Sequence, residues 1–380
     1  MMTARSHLQG IKVFNYVGRT TYSKLAHCYK IITEACDKLA ARLFIRSLQV
    51  TILQLSDFGP TSIMLSNTFL LFLSCTVAAL CEGKIPETVS TQVAGDVTVT
   101  DEDRNTFGKF MRDYNKTYSD DERPLRLQVF ANNMREIARL KAKGATGIGV
   151  NVLAATTAEE FQNMLVSSDF AKNGPPESAG HSEPPTMSRR KRQSVPSSYD
   201  YRTYSWVSSV KNQAYNYDLS EQDLIDCTSS PNNGCNGGWV NVALDYVTRS
   251  YTAQEYYYPY KGYKSTCASV TRNVPAVQYF QITAESDVAY YNYYYGPVAF
   301  YFNVPSAFQY YSGGVFYVSD CSKTVGMHEV VIVGYSSSYW IVKNSWGTGW
   351  GSGGFVYWAR GYNMCNMQAQ LLCAYRSSSG

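Results

Sequence analysis

The sequence predicts an α+β protein, helical in its middle third and rich in strands toward its end. Two patterns carry this. Within residues 107–170, Glu122, Arg126, Phe130, Asn133 and Ile137 recur at spacings of four, four, three and four, which lays them along one face of a helix. Within residues 295–358, five β-rich runs are broken by glycine and serine and read as strands: residues 295–301, 314–317, 330–335, 339–342 and 355–358.

Composition bounds what such a chain can do. Of 380 residues, 45% are hydrophobic and 17% charged, enough apolar surface for a sizeable core. No apolar run approaches the ~20 residues a membrane span needs, so a soluble globular protein is expected. The net charge of +4, from 34 basic and 30 acidic groups, is too balanced for a nucleic-acid surface. No metal-ligand spacing and no phosphate-cradling glycine loop occurs, so neither metal nor cofactor is expected. Most of the 32 tyrosines lie after residue 196 and show no repeat period, which favours aromatic core and strand filling over a cross-linked coat.

Processing signals divide the chain. Residues 64–81 have an apolar centre of about 12 residues closed by small ones, as secretory signals do. Residues 1–63 form an N-terminal extension that such a signal leaves unexplained, and Met64 is an alternative start. A second reading makes residues 1–63 a real helical segment, with Leu25, Ile32, Leu39 and Leu43 at near-helical spacing, and the apolar stretch an internal anchor or core helix. Asn115-Lys116-Thr117 fits a glycosylation acceptor in a secreted chain. Residues 171–195 read as a proline- and glycine-broken linker ending in Arg189-Arg190-Lys191-Arg192, a site for a basic-specific processing protease.

The order of residue types says more than their periodicity. The Glu122, Arg126, Phe130, Asn133, Ile137 series, with Lys141 where a final Asn would fall, resembles the interspersed motif of papain-family proregions. Residues 149–155 resemble the family's second proregion motif, with Leu153 and Ala155 replacing its usual Phe and Asp. Later come Val210-Lys211-Asn212-Gln213, Leu219-Ser220-Glu221-Gln222, Gly234-Cys235-Asn236-Gly237-Gly238, Met327-His328-Glu329 and Asn344-Ser345-Trp346-Gly347, in that family's order. The resemblance implies a helical inhibitory propeptide over residues 82–170. It also implies a papain-like peptidase domain over residues 196–380, with a mainly helical left domain and an antiparallel, barrel-like right domain. A secreted or lysosomal zymogen, acting as a monomer on peptide or protein substrates, is what such a chain would be.

Thiol-mediated amide hydrolysis needs a thiolate beside an imidazolium, a group orienting that ring, and donors aimed at the oxyanion. By resemblance His328 is the general base and acid, Asn344 orients it, and Gln213 donates to the oxyanion. Trp346 would cover the His328–Asn344 bond, and Gly237 and Gly238 would pair with an extended peptide. The nucleophile is missing: no C-G-[SA]-C-[WY] string occurs. His328 and Asn344 lie 109 and 125 residues after Leu219, against about 130–150 after the nucleophile in the family. This implies an internal deletion near residues 213–220. By the same resemblance Cys227 pairs with Cys267 and Cys321 with Cys365, leaving Cys235 to pair with Cys373 or to remain a free thiol. Two functions follow: a cysteine peptidase whose sequence has lost its nucleophile segment, or a noncatalytic papain-like protein that binds peptides or inhibits proteases.

Overall fold

A computed structural model describes residues 97–166, 170, 174–177, 182–184, 195–204, 207 and 219–375. The extension, the signal-like segment, the basic cluster Arg189-Arg190-Lys191-Arg192 and Gln213 lie outside the described residues. The chain divides into two units, Met1–Lys30 with Val99–Gly380, and Ile31–Thr98. The architecture below is that of the first.

Helix α1 spans Asp101–Asp113 and begins at a reciprocal cap, Thr100 accepting from the Asp103 amide while the Asp103 carboxylate accepts from the Thr100 amide. Helix α2, Arg123–Ala142, carries the sequence motif, and the face predicted from its spacing buries Phe130, Asn133 and Ile137. The ring of Phe130 packs 5.5 Å from Phe107 and 5.2 Å from Phe110, which closes α1 on α2. Arg126 is bound bidentately by Glu160 at 2.6 and 2.7 Å and by Glu122 at 2.8 Å, tying α2 to the short helix α3, Ala158–Gln162.

Helix does not fill residues 107–170 as the sequence predicts. After α2 the chain runs extended, because Gly144 and Gly147 take left-handed φ of 88° and 75°. It bridges the body at Thr146 opposite Tyr317 and at Ile148 opposite Tyr311.

In the body, strands β1 (Tyr199–Asp200), β4 (Gln278–Ile282), β5 (Val298–Pro305), β6 (Val315–Phe316), β7 (Thr324–Tyr335), β8 (Tyr339–Lys343), β9 (Phe355–Ala359) and β10 (Leu371–Tyr375) form one sheet. Its order is β4-β10-β5-β7-β8-β9-β6, with β1 also on β7. All pairs are antiparallel except β6 with β9. β2 (Thr252–Ala253) and β3 (Arg272–Val274) pair separately. Strands β4 and β10 went unanticipated, and β7 begins six residues earlier than its apolar run, so His328 sits inside the strand rather than ahead of it.

Alternation along these strands feeds two cores. One face sends Phe300, Phe302, Val330, Trp340, Trp358 and Leu371 into a large aromatic cluster. The other sends Ala299, Val331, Ile341 and Leu372 against Val240, Ala243, Leu244 and Val247 of helix α5, Val240–Arg249. At roughly 1.5–3 kcal/mol for each large apolar side chain, these layers dominate the stability. Ile137, Ile148, Phe161 and Leu165 of the proregion belong to the first cluster, so proregion and body share one core.

Helix α4, Glu221–Cys227, is capped by Ser220 and held by two crosslinks. Arg272 donates to Asp223 at 2.9 Å, and Cys227 is bonded to Cys267. Cys321 is bonded to Cys365. The remaining two cysteines do not follow either sequence alternative. Cys235 is disulfide-bonded, and Cys373 is a free, buried thiol on β10 and not its partner. The strand places Cys373 in the apolar core, in register with Phe280 and Val298.

Candidate active site

Strand β7 places His328 opposite Phe302 of β5, with its ring fully buried. β8 ends at Lys343, and the following Asn344 is anchored by its own amide to the Gly354 carbonyl. The His328 Nε2–H donates to Asn344 Oδ1 at 2.7 Å, and that oxygen also accepts from the Ser345 amide at 2.8 Å. Two donors on one oxygen hold the side-chain amide, and the amide in turn holds the imidazole tautomer with its proton on Nε2. Nδ1 is then the basic nitrogen. Trp346 stacks on the imidazole, with ring centroids 4.6 Å apart and planes 27° apart. Phe308 and Trp350 wedge Trp346 at 5.3 and 5.1 Å.

Burial pushes the His328 pKa down to about 4, and the bond to Asn344 offsets this only in part. The imidazole is therefore neutral over the physiological range. Three neighbouring buried atoms, Asn344 Nδ2, Ser345 Oγ and Trp346 Nε1, make no hydrogen bond with the described residues. Such groups are normally satisfied.

Gly237 and Gly238 lie on the loop leading into α5. Gly237 has φ 117°, and a Cβ there would sit 3.6 Å from Val166 and 3.8 Å from Phe170. The proregion runs over this glycine. Val166 exchanges both backbone bonds with Met327, at 3.0 and 3.1 Å, next to His328 in the chain. Phe161 packs edge-on against Trp346 at 5.6 Å, and Phe170 stacks on Trp239 at 5.7 Å. His328, Asn344 and Trp346 thus come together, Gly237 lies under the proregion, and Gly238 packs against Asn232. Sequence reasoning missed Phe161, Val166 and Phe170 as cover, which only long-range contact reveals. It also passed over Glu329, whose signal was present: a carboxylate at the head of an otherwise apolar strand run.

Comparison with known proteins agrees with this geometry. Residues 197–375 match the papain family cysteine protease model, and residues 107–161 match the cathepsin propeptide inhibitor domain. Fruit bromelain of Ananas comosus is 31% identical over 290 residues, covering 67% of this chain and 80% of that protein. Pro-cathepsin H of Mus musculus is 31% identical over 328 residues, covering 74% and 93%. The structure of digestive procathepsin L 3 from Tenebrio molitor larval midgut superposes with a TM-score of 0.56 at 28% identity, covering 72% of this chain and 99% of that one. Helical proregion, shared core, two expected disulfides and a His–Asn pair beneath a tryptophan all agree: the chain belongs to the papain family of cysteine proteases, with a cathepsin-type propeptide inhibitor domain ahead of the peptidase domain.

Proposed function

We propose that the protein is the zymogen of a papain-like peptidase, probed by extended peptides, whose chain in this form binds them without cleaving them. The observation that carries this is the state of its sulfur. Six cysteines follow residue 196. Five are disulfide-bonded, and Cys373 is buried with its thiol pushed far above the ordinary range. Cys373 lies in register with Val298, itself opposite Ile332, so it is four residues along the sheet and two strands across from His328, roughly 16 Å away. No thiolate in the body is positioned to attack. The neutral His328 fits this, because an imidazolium needs a neighbouring anion to hold its proton in a buried site.

In this reading His328 Nδ1 would accept and return the nucleophile's proton, Asn344 would hold the ring, and Gln213 would donate to the oxyanion. Gly237, Gly238 and Trp346 would line the cleft. The buried polar atoms at residues 344–346 that have no partner among the described residues support a piece of chain having dropped out. Secretion fits the disulfides and the exposed turn at Asn115, where a glycan would meet no packed chain. Cleavage at Arg189-Arg190-Lys191-Arg192 would free the proregion.

Incubation of the full-length chain with a thiol-directed epoxide, read by mass spectrometry, tests the reading. No adduct is expected on any cysteine after residue 196; a stoichiometric adduct there, with peptide hydrolysis, would show an active nucleophile. Sequencing the transcript across Gln213 to Ser220 separates the two histories. A cysteine-bearing insert marks a peptidase that this form has lost, and an uninterrupted reading marks a dedicated binder.

A further inference from the structure

The loop over residues 232–238, which leads into α5, carries the pairs Asn233-Gly234 and Asn236-Gly237. Asparagine followed by glycine is chemically labile in water. The nitrogen after the asparagine can attack the asparagine's own side-chain carbonyl, and glycine, having no Cβ, leaves that nitrogen open to do so. How the fold holds each pair decides which of them reacts.

The three asparagines of the loop are held differently. Asn232 is buried and clamped, its Nδ2 donating to the Trp239 carbonyl at 3.1 Å and its Oδ1 accepting from the Trp239 amide at 2.6 Å. Asn233 is exposed, but its amide donates to the Gly237 carbonyl at 2.9 Å and its carbonyl accepts from the Asn236 amide at 3.0 Å. With ψ at 49°, the Gly234 nitrogen stands nearly anti to the Asn233 Cβ across the Cα–C bond, out of reach of Cγ. Bringing it round would swing the Asn233 carbonyl off its donor. Asn236 carries neither restraint. It is exposed at the end of the single-turn helix Gly234–Asn236, and its side chain makes no hydrogen bond with the described residues. Gly237 takes φ 117°, which keeps that position a glycine.

We propose that Asn236 is a self-modifying site, at which the Gly237 nitrogen and water convert the asparagine to isoaspartate and aspartate. The nitrogen gives up its proton to solvent and attacks Asn236 Cγ. A nitrogen–carbon bond forms, closing a cyclic imide, and the Cγ–Nδ2 bond breaks, Nδ2 leaving as ammonia. Water then opens the imide at one of its carbonyls. Opening at Cγ restores the ordinary backbone with a carboxylate side chain. Opening at the main-chain carbonyl breaks the original peptide bond, frees that carbon as a carboxylate and routes the chain through Cβ and Cγ. One water is consumed and one ammonia released, with no oxidant or reductant.

The site lies where such a change is felt. A Cβ on Gly237 would come 3.6 Å from Val166 and 3.8 Å from Phe170, and Phe170 stacks on Trp239. Isoaspartate adds a methylene to the chain path and sets a carboxylate immediately before Gly237, beside the apolar cluster of Phe170, Trp239 and Met327. The modified loop holds the end of the proregion less tightly.

The test stores the full-length chain at mildly alkaline pH, then reduces, digests and maps it by mass spectrometry, with isoaspartate read by enzymatic methylation. The peptide carrying residue 236 should lose its original form and split into two products, each shifted in mass by the exchange of amide for carboxyl. Asn236→Gln, whose longer side chain closes the ring far more slowly, should abolish the change, whereas Asn233→Gln should leave it intact. Limited proteolysis then compares fresh chain, stored chain and stored Asn236→Gln chain, and only the stored unsubstituted chain should lose its proregion sooner. An unmodified residue 236 after storage overturns the proposal, as does a change that Asn233→Gln abolishes and Asn236→Gln does not. Modification at residue 236 with unaltered proregion cleavage upholds the site and overturns its effect on the proregion.

Discussion

His328 shows how little a residue's identity fixes its chemistry. Here the imidazole and its asparagine partner hold a neutral ring, since desolvation outweighs the hydrogen bond to Asn344. A histidine whose folded pKa is depressed to about 4 contributes stability that is present above its unfolded value of about 6.5 and lost as pH falls through 4. NMR titration of the His328 ring should therefore show a neutral Nε2–H tautomer down to about pH 4, with unfolding free energy falling over the same window. A ring that titrates near 6.5 would mean that it is solvated or faces an anion. Asn344→Ala should cost about 1–3 kcal/mol in denaturant unfolding at neutral pH, because it leaves the buried Nε2–H without its acceptor.

Among the elements, α2 is the one that joins proregion to body. Asn133 donates to the Ala154 and Thr156 carbonyls at 2.9 and 3.0 Å, and its Oδ1 accepts from Tyr310 of the body at 2.9 Å. Asn133→Ala removes the partner of three buried groups, for a cost of about 2–4 kcal/mol. Limited proteolysis should then cut the proregion first, well before the body unfolds. Acid acts on the same element through α1. Arg135 holds the Asp103 carboxyl far below the ordinary range, with the Thr100 amide helping. A depressed carboxylate gives stability that is present above its unfolded pKa of about 3.9 and lost as pH falls below it. Asp103→Asn should thus flatten the acid limb of proregion unfolding, measured by circular dichroism between pH 5 and pH 2.

At the scale of the molecule, proregion and body have one aromatic and aliphatic core, to which Ile137, Ile148, Phe161 and Leu165 contribute from the proregion side. Their unfolding should be coupled, so calorimetry should find one main transition for both. On the α5 side the sheet packs against Val240, Ala243, Leu244 and Val247, and the deletion proposed near residues 213–220 would remove a helix from this body. Loss of several buried turns weighs against a total stability of ~5–15 kcal/mol. Scanning calorimetry should therefore give a midpoint well below that of an intact relative, and restoring the missing helix should raise it. An unaltered, equally cooperative melt in the chain as it stands would refute that estimate of the loss.

Local order of residues was enough for the α2 face and for the family resemblance, which in turn implied the α+β class, the two disulfides Cys227–Cys267 and Cys321–Cys365, and the hydrogen bond of His328 to Asn344. That resemblance rests on residue types in a fixed order, which a sequence carries directly. It could not place β4, β10 or residues 143–157, since these are set by partners more than a hundred residues away or by glycines whose φ only packing selects. Nor could it settle Cys235 and Cys373, or tell that His328 lies opposite Phe302. Strand register alone decides which distant side chains meet and which are left facing an empty acceptor, and register is a property of the assembled sheet.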